Sequence, residues 1–175
     1  GSDIMFISSC VAPQEASKFA PNRNGGPGVR VRPRYLRSDA AVMFSDILSQ
    51  EGIDIHEQYY TALVKWLLPK SDRIKIPKDV IRWCMPSLET EIANVKPKII
   101  VCLGKVVFDQ LMDFKLSLSD AKGAWFWSNK YNAKVYVMED TYKLVTNPEY
   151  LEKFRIDARE INRTWKETRN IDVGR

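Results

Sequence analysis

The run Val95 to Gly104, Val-Lys-Pro-Lys-Ile-Ile-Val-Cys-Leu-Gly, constrains this chain more than any other stretch. Ile99 to Leu103 is short, continuously apolar and β-branched, entered through Pro97 and left through Gly104. Such a run reads as a strand buried on both faces. Gly104 permits a tight turn into the helical pattern Lys105 to Met112, and strand–turn–helix is the repeating step of an α/β sheet. In sheets of that kind ligands bind beyond the carboxyl ends of the strands. Ile4 to Ser9 is the other strong strand, and it too runs into a loop of unusual composition.

That loop, Cys10 to Arg37, carries Pro21, Pro27, Pro33 and an Asn-Gly-Gly-Pro-Gly tip at 24–28. A connection so long inside a compact domain is functional or disordered. Arg23, Arg30, Arg32, Arg34 and Arg37 crowd it, and Glu15 is its single acid. The whole chain has a formal charge of +5 and a pI of about 9.1, which points mildly to a polyanionic partner, the alternative being a basic surface with none. Its 175 residues suffice for one domain with a core, and no apolar run is long enough to span a membrane. Gly1-Ser2 reads as a cloning remnant, residues 3–170 as a single domain and 171–175 as a tail. The start at Asp3, directly before a strand, suggests a domain cut from a longer chain. Three cysteines, Cys10, Cys84 and Cys102, form no disulfide framework, so an intracellular setting is expected.

The remaining pattern alternates. Ser38 or Asp39 caps a helix expected to turn Val42, Met43, Ile47 and Leu48 inward. Gln58 to Leu67 reads as a strand, and 78–95 as a helix with Ile81, Cys84, Met85, Leu88 and Ile92 on one face and a kink or restart at Pro86. Lys134 to Met138 is a fourth strand. The last helix, from about Glu149 to Thr168, turns Tyr150, Phe154, Ala158, Ile161 and Trp165 inward. The expected architecture is a three-layer α/β/α fold around a four-stranded, mainly parallel sheet.

The order of these pieces resembles the uracil-DNA glycosylase superfamily, in particular its thermophile-type branch, family four. Cys10-Val11-Ala12-Pro13 stands where that branch has Gly-Glu-Ala-Pro, and 38–44 resembles its Gly-Arg-Ala-Gly-x-Leu-Leu helix start. Tyr59-Tyr60-Thr61-Ala62-Leu63-Val64-Lys65 is similar to Tyr-Ile-Thr-Asn-Val-Val-Lys, and Cys84 to Leu88 to Cys-x-Pro-x-Leu. Pro97 to Gly104 and Asn147-Pro148-Glu149-Tyr150-Leu151 resemble the Pro-Lys-Val-Ile-Val-x-Leu-Gly and His-Pro-Ser-Tyr-Leu runs.

The resemblance implies a base-flipping fold that binds DNA, and its departures imply altered chemistry. Val11 replaces the family's carboxylate, Ala62 the Asn that reads the uracil edge, and Asn147 the His that donates to the departing base. Poor uracil excision follows, since preorganised charges are worth several kcal/mol in such a site. Only Cys84 remains of the four ligands of the branch's iron–sulfur cluster, so no cofactor or metal is expected. The candidate catalytic residues are Asn147, Glu15 and Glu149. Glu15 would substitute for the lost carboxylate or be a solvated loop residue; Glu149 would act as a base or merely favour a helix start. Val11, Ala12, Pro13, Tyr35 and Ala62 would form the base pocket, with Tyr35 stacking on a flipped base. The five loop arginines and Lys65 would meet DNA. His56, the single histidine, reads as a surface residue. Three functions fit: a glycosylase for a bulky modified base, a silent DNA-binding module of a larger replication, repair or modification protein, or a protein-interaction domain with Trp125 and Trp127 outermost.

Overall fold

The computed structural model describes residues 2–16 and 34–173. Ile4–Cys10 forms β1, Tyr59–Val64 β2, Ile99–Leu103 β3, Trp125–Ser128 β4 and Ala133–Met138 β5. They make one sheet in the order β2-β1-β3-β5-β4. Four of its strands run parallel, and β4 pairs antiparallel with β5 at the edge. The expected four-stranded sheet is therefore five-stranded. The Trp125–Ser128 segment joins through a hairpin, with the Trp125 ring 4.7 Å from that of Tyr136.

Alternation along the buried strands feeds two cores. Met5 and Ile7 of β1, with Ile100 and Cys102 of β3, pack against α3 (Lys78–Val95) and α4 (Lys105–Leu111). Ile4 and Phe6, with Ile99, Val101 and Leu103, face α1 (Asp39–Gln50) and α7 (Tyr150–Val173). All five residues of β3 are buried, as a strand covered by helices on both faces must be. The short helices α2 (Lys70–Ile74), α5 (Leu118–Ala121) and α6 (Lys143–Thr146) complete the described chain.

Several local expectations change. Ser38 caps α1 by accepting the Ala41 N–H, but the buried stripe is Ala40, Ala41, Phe44, Ile47 and Leu48. Val42 and Met43 are exposed. The small Ala pair lets α1 approach the sheet, and Phe44 then packs edge-on to Phe6 and Phe154. In α3, the helix runs without a restart from Lys78 to Val95 through Pro86, which sits on its exposed side. The last helix runs to Val173, beyond the expected tail boundary. No helix among the described residues is long and apolar enough to cross a membrane.

Candidate functional site at the carboxyl rim

Parallel register brings the ends of four strands to one rim. Ser8 is level with Ala62 on one side and Leu103 on the other, and Leu103 is level with Met138. Gly104, which opens α4, has φ +106°, a value that side chains rarely adopt. A Cβ there would lie 3.9 Å from the Asp140 Cβ, an ordinary contact, so conformation and not crowding demands the glycine. The same distance shows that the β3 and β5 exits sit side by side.

At the β1 exit, Pro13–Glu15 makes a single 3-10 turn. Ala12 has no side-chain oxygen with which to cap it, and the Glu15 carboxylate instead reaches back to the cap residue's own N–H. It takes the Ala12 N–H at 3.4 Å and the Arg37 N–H at 3.2 Å, while the Arg34 N–H donates to the Glu15 carbonyl at 3.0 Å. Glu15 therefore ties the start of the long loop to its return. At 4% exposure it is not a solvated loop residue. Gln14 adds a second tie, accepting the Asp39 N–H at 2.9 Å.

Inside this staple lies a group of polar side chains. The Tyr60 phenol, which lies beside Ser8, is pushed well above its ordinary pKa by burial and then by the charge of Glu15, with a smaller push from Asp140. Tyr35 packs on it with ring centroids 5.5 Å apart. Burial pushes Tyr35 up to about 12, and its hydroxyl lies beside Thr61 and the Ala62 backbone without a hydrogen bond of good geometry among the described residues. Asp140 leaves the end of β5 and accepts the Tyr142 N–H through Oδ1 at 2.9 Å. Burial raises its pKa above the usual carboxylate range; the Tyr142 hydrogen bond opposes this, and Glu139 adds to it. Asp140 and Glu15 both act on Cys10, whose thiol is raised chiefly by burial. A carboxylate that takes a proton readily, placed at the rim, is equipped for acid–base work.

Sequence reasoning missed Asp140. Its signal was available: Glu139-Asp140 follows a strand run directly, where a parallel sheet puts functional groups.

Of the pocket candidates, Ala12 and Tyr35 are half-buried and Pro13 is exposed at this rim. Val11, 1% exposed, and Ala62, fully buried, are core residues behind it. Lys65 does not reach outward as expected. Its Nζ lies 2.5 Å from the Glu91 carboxylate and donates to the Ala62 carbonyl at 2.7 Å. Glu91 also accepts from the Tyr59 and Thr61 hydroxyls, so Lys65 completes an internal network. Asn147 is half-buried at the end of α6, its carbonyl taking the Tyr150 N–H, and Glu149 is exposed beside it. Among the described residues no hydrogen bond or ion pair joins either to Glu15, Tyr35 or Asp140. Arg34 and Arg37 are exposed next to the Glu15 staple; Arg23, Arg30 and Arg32 lie outside the described residues. His56 is exposed, as expected.

The cysteines do not suit an iron–sulfur cluster. Three thiols fall short of four ligands, Cys102 is fully buried in β3 with its pKa strongly raised, and burial raises Cys84 as well. Among the described residues no three His, Cys, Asp or Glu side chains group as a metal site. Two clefts lie away from the rim. One, of about 350 Å³, runs between β4 and α7 and includes Trp127 and Arg163; the other, of about 160 Å³, includes Lys122 and Asp157. Compared with known families, the chain matches the model of the Uracil DNA glycosylase superfamily over residues 18–169.

Proposed function

Since this chain belongs to the uracil DNA glycosylase superfamily, we propose that it binds DNA across the carboxyl rim and acts there on an extruded base other than uracil. The observation that carries this reading is Asp140. Where the superfamily's first-motif carboxylate is replaced by Val11, a different carboxylate stands at the neighbouring strand exit, beside Gly104 and within electrostatic reach of Cys10 and Tyr60.

The chemistry assigned to it is simple. The bond from the deoxyribose C1′ to the base nitrogen breaks with its electron pair leaving on the base. Ionised Asp140 steadies the cationic sugar, water adds at C1′, and Asp140 takes the water's proton. Asn147 offers one neutral hydrogen bond to the leaving base where the superfamily motif has a His, which suits a base that leaves more easily than uracil. Glu15 keeps the loop closed instead of touching the sugar, because both its carboxylate oxygens already accept backbone N–H groups.

Base release and binding, measured side by side on single-stranded and duplex oligonucleotides carrying a panel of modified pyrimidines, test the reading. At least one modified base should be released, and Asp140→Asn should slow that release by about a hundredfold or more while binding persists. Uracil should leave more slowly than about one per second. Binding without release of any base would make the domain a silent DNA-binding module. Absence of DNA binding would remove the proposal and favour a protein-interaction scaffold, for which the exposed Trp127 beside the β4–α7 cleft is the supporting observation.

A further inference from the structure

A second surface lies where β2 leaves the sheet. Trp66 stands two residues past the end of β2 and Trp83 in the second turn of α3, with ring centroids 5.5 Å apart and planes inclined at 70°. Burying aromatic rings is what usually justifies such a pair. Here Trp83 is 71% exposed and Trp66 37%, and Ile74 on the intervening α2 is 81% exposed. The pair is therefore built, held edge to face by its own packing, and left open to water.

The charge around it is one-sided. Residues 65–83 hold six Lys and Arg against two Asp, a surplus of four in a chain whose net charge is +5. Lys65 is taken up by Glu91. Lys70, Lys75, Lys78 and Arg82 are exposed, and neither they nor Arg73 makes an ion pair among the described residues. Arg73 is close enough to Cys10 to act on its thiol, so this surface adjoins the carboxyl rim.

Unpaired cations interleaved with exposed aromatic rings suit one ligand chemistry: a polyanion whose flat apolar groups are free to stack. Duplex DNA supplies the anion but keeps its bases stacked on each other. A single strand supplies both. From this geometry we infer that Trp66 and Trp83, framed by Lys70, Lys75, Lys78 and Arg82, form a stacking platform for single-stranded DNA flanking the nucleotide held at the rim. The inference rests on the DNA-binding reading above and adds the form of the strand. Trp83 offers the open face for a base, Trp66 fixes its orientation, and the lysines follow the phosphates.

The test uses fluorescence anisotropy with an oligothymidylate of about fifteen nucleotides and with a duplex of equal length, each over a range of salt. Trp83→Ala should weaken single-strand binding roughly tenfold, as expected when one base loses its stacking partner. Its salt slope should be unchanged and its duplex affinity should stay within about twofold of wild type. Trp83→Phe should recover most of the affinity. Lys75→Ala combined with Arg82→Ala should instead flatten the single-strand salt slope, by about 0.7 for each phosphate no longer neutralised. These side chains are exposed, so melting curves should match wild type, and Trp83→Ala alone suffices if the double change Trp66→Ala, Trp83→Ala fails to fold. Single-strand binding unaffected by Trp83→Ala, or duplex binding weakened in parallel, overturns the platform while the proposed function stands. A wild-type protein that binds neither oligonucleotide overturns both.

Discussion

Removing the Glu15 carboxylate separates a structural role from a chemical one. In Glu15→Ala, two backbone N–H groups, from Ala12 and Arg37, lose an acceptor in a site where the side chain is 4% exposed. Hydrogen bonds to a charged acceptor are worth about 1.5–3 kcal/mol each, but lengths of 3.2 and 3.4 Å place these near 1 kcal/mol apiece. The one buried methylene that is lost adds about 0.8 kcal/mol at full burial, for a total of about 3 kcal/mol. In a chain of 175 residues that lowers Tm by roughly 6–12 °C. Glu15→Gln keeps one good acceptor and turns an amide N–H towards the other donor, so about half the loss is expected. Scanning calorimetry supplies the Tm, with urea melts as a check on ΔG. A fall of less than about 1 °C in Glu15→Ala, accompanied by loss of base release, would refute the staple and return Glu15 to the chemistry.

Three further outcomes are expected. Asp157 lies beneath the Tyr136 hydroxyl, 2.5 Å away, and burial pushes it from 3.8 to about 6. The folded state then holds a proton that the unfolded chain releases, so stability is greatest below about pH 4 for this group and falls as pH rises to about 6. The full shift corresponds to about 3 kcal/mol, halved to about 1.5 kcal/mol for a partly exposed group, and Asp157→Asn should remove that slope from a series of urea melts at different pH. Replacing Arg30, Arg32 and Arg34 together with Ala should weaken DNA binding and reduce its salt slope by roughly one unit for each phosphate interaction removed, with Tm unchanged; equal affinity and slope in the variant would exclude that loop as a DNA surface. Purified protein should contain no iron by elemental analysis, and brown colour with visible charge-transfer absorption would contradict the three-thiol count.

Much of the frame was legible from the residues alone. Pro97 and Gly104 bracket β3 to within a residue or two, and α3 spans 78–95 as its apolar spacing indicates. The physics behind both is local: a breaker at each end of a run, and a repeat near 3.6. Where packing decides, the residues mislead. Val42 and Met43 look like core, but the helix buries the stripe through the two alanines, because close approach to the sheet favours the smaller face. Trp125 to Ser128 reads as hairpin-like, its tryptophans at a sheet edge or facing a partner, but four residues carry too little alternation to count it as a fifth strand. The site was half legible. Glu15 and Tyr35 stand out by composition, yet what they touch depends on residues about 20 to 30 positions away. Lys65 reads as a free cation until Glu91, 26 positions on in α3, is placed beside it.

The strand order also sets how the chain must assemble. The pairing of β4 with β5 spans about a dozen residues, whereas β1 meets β2 some 55 residues away and β3 some 95 away. Closing the larger loops costs entropy before any pairing repays it, which slows folding of parallel sheets. The hairpin and β3 should therefore order first and β1 last, with φ-values near zero for Phe6→Leu and well above that for Val135→Ala. Since β1 carries the Glu15 staple and the rim it closes, the binding face comes into being only with the final step, and a nascent chain holding every other element in place would still have no site.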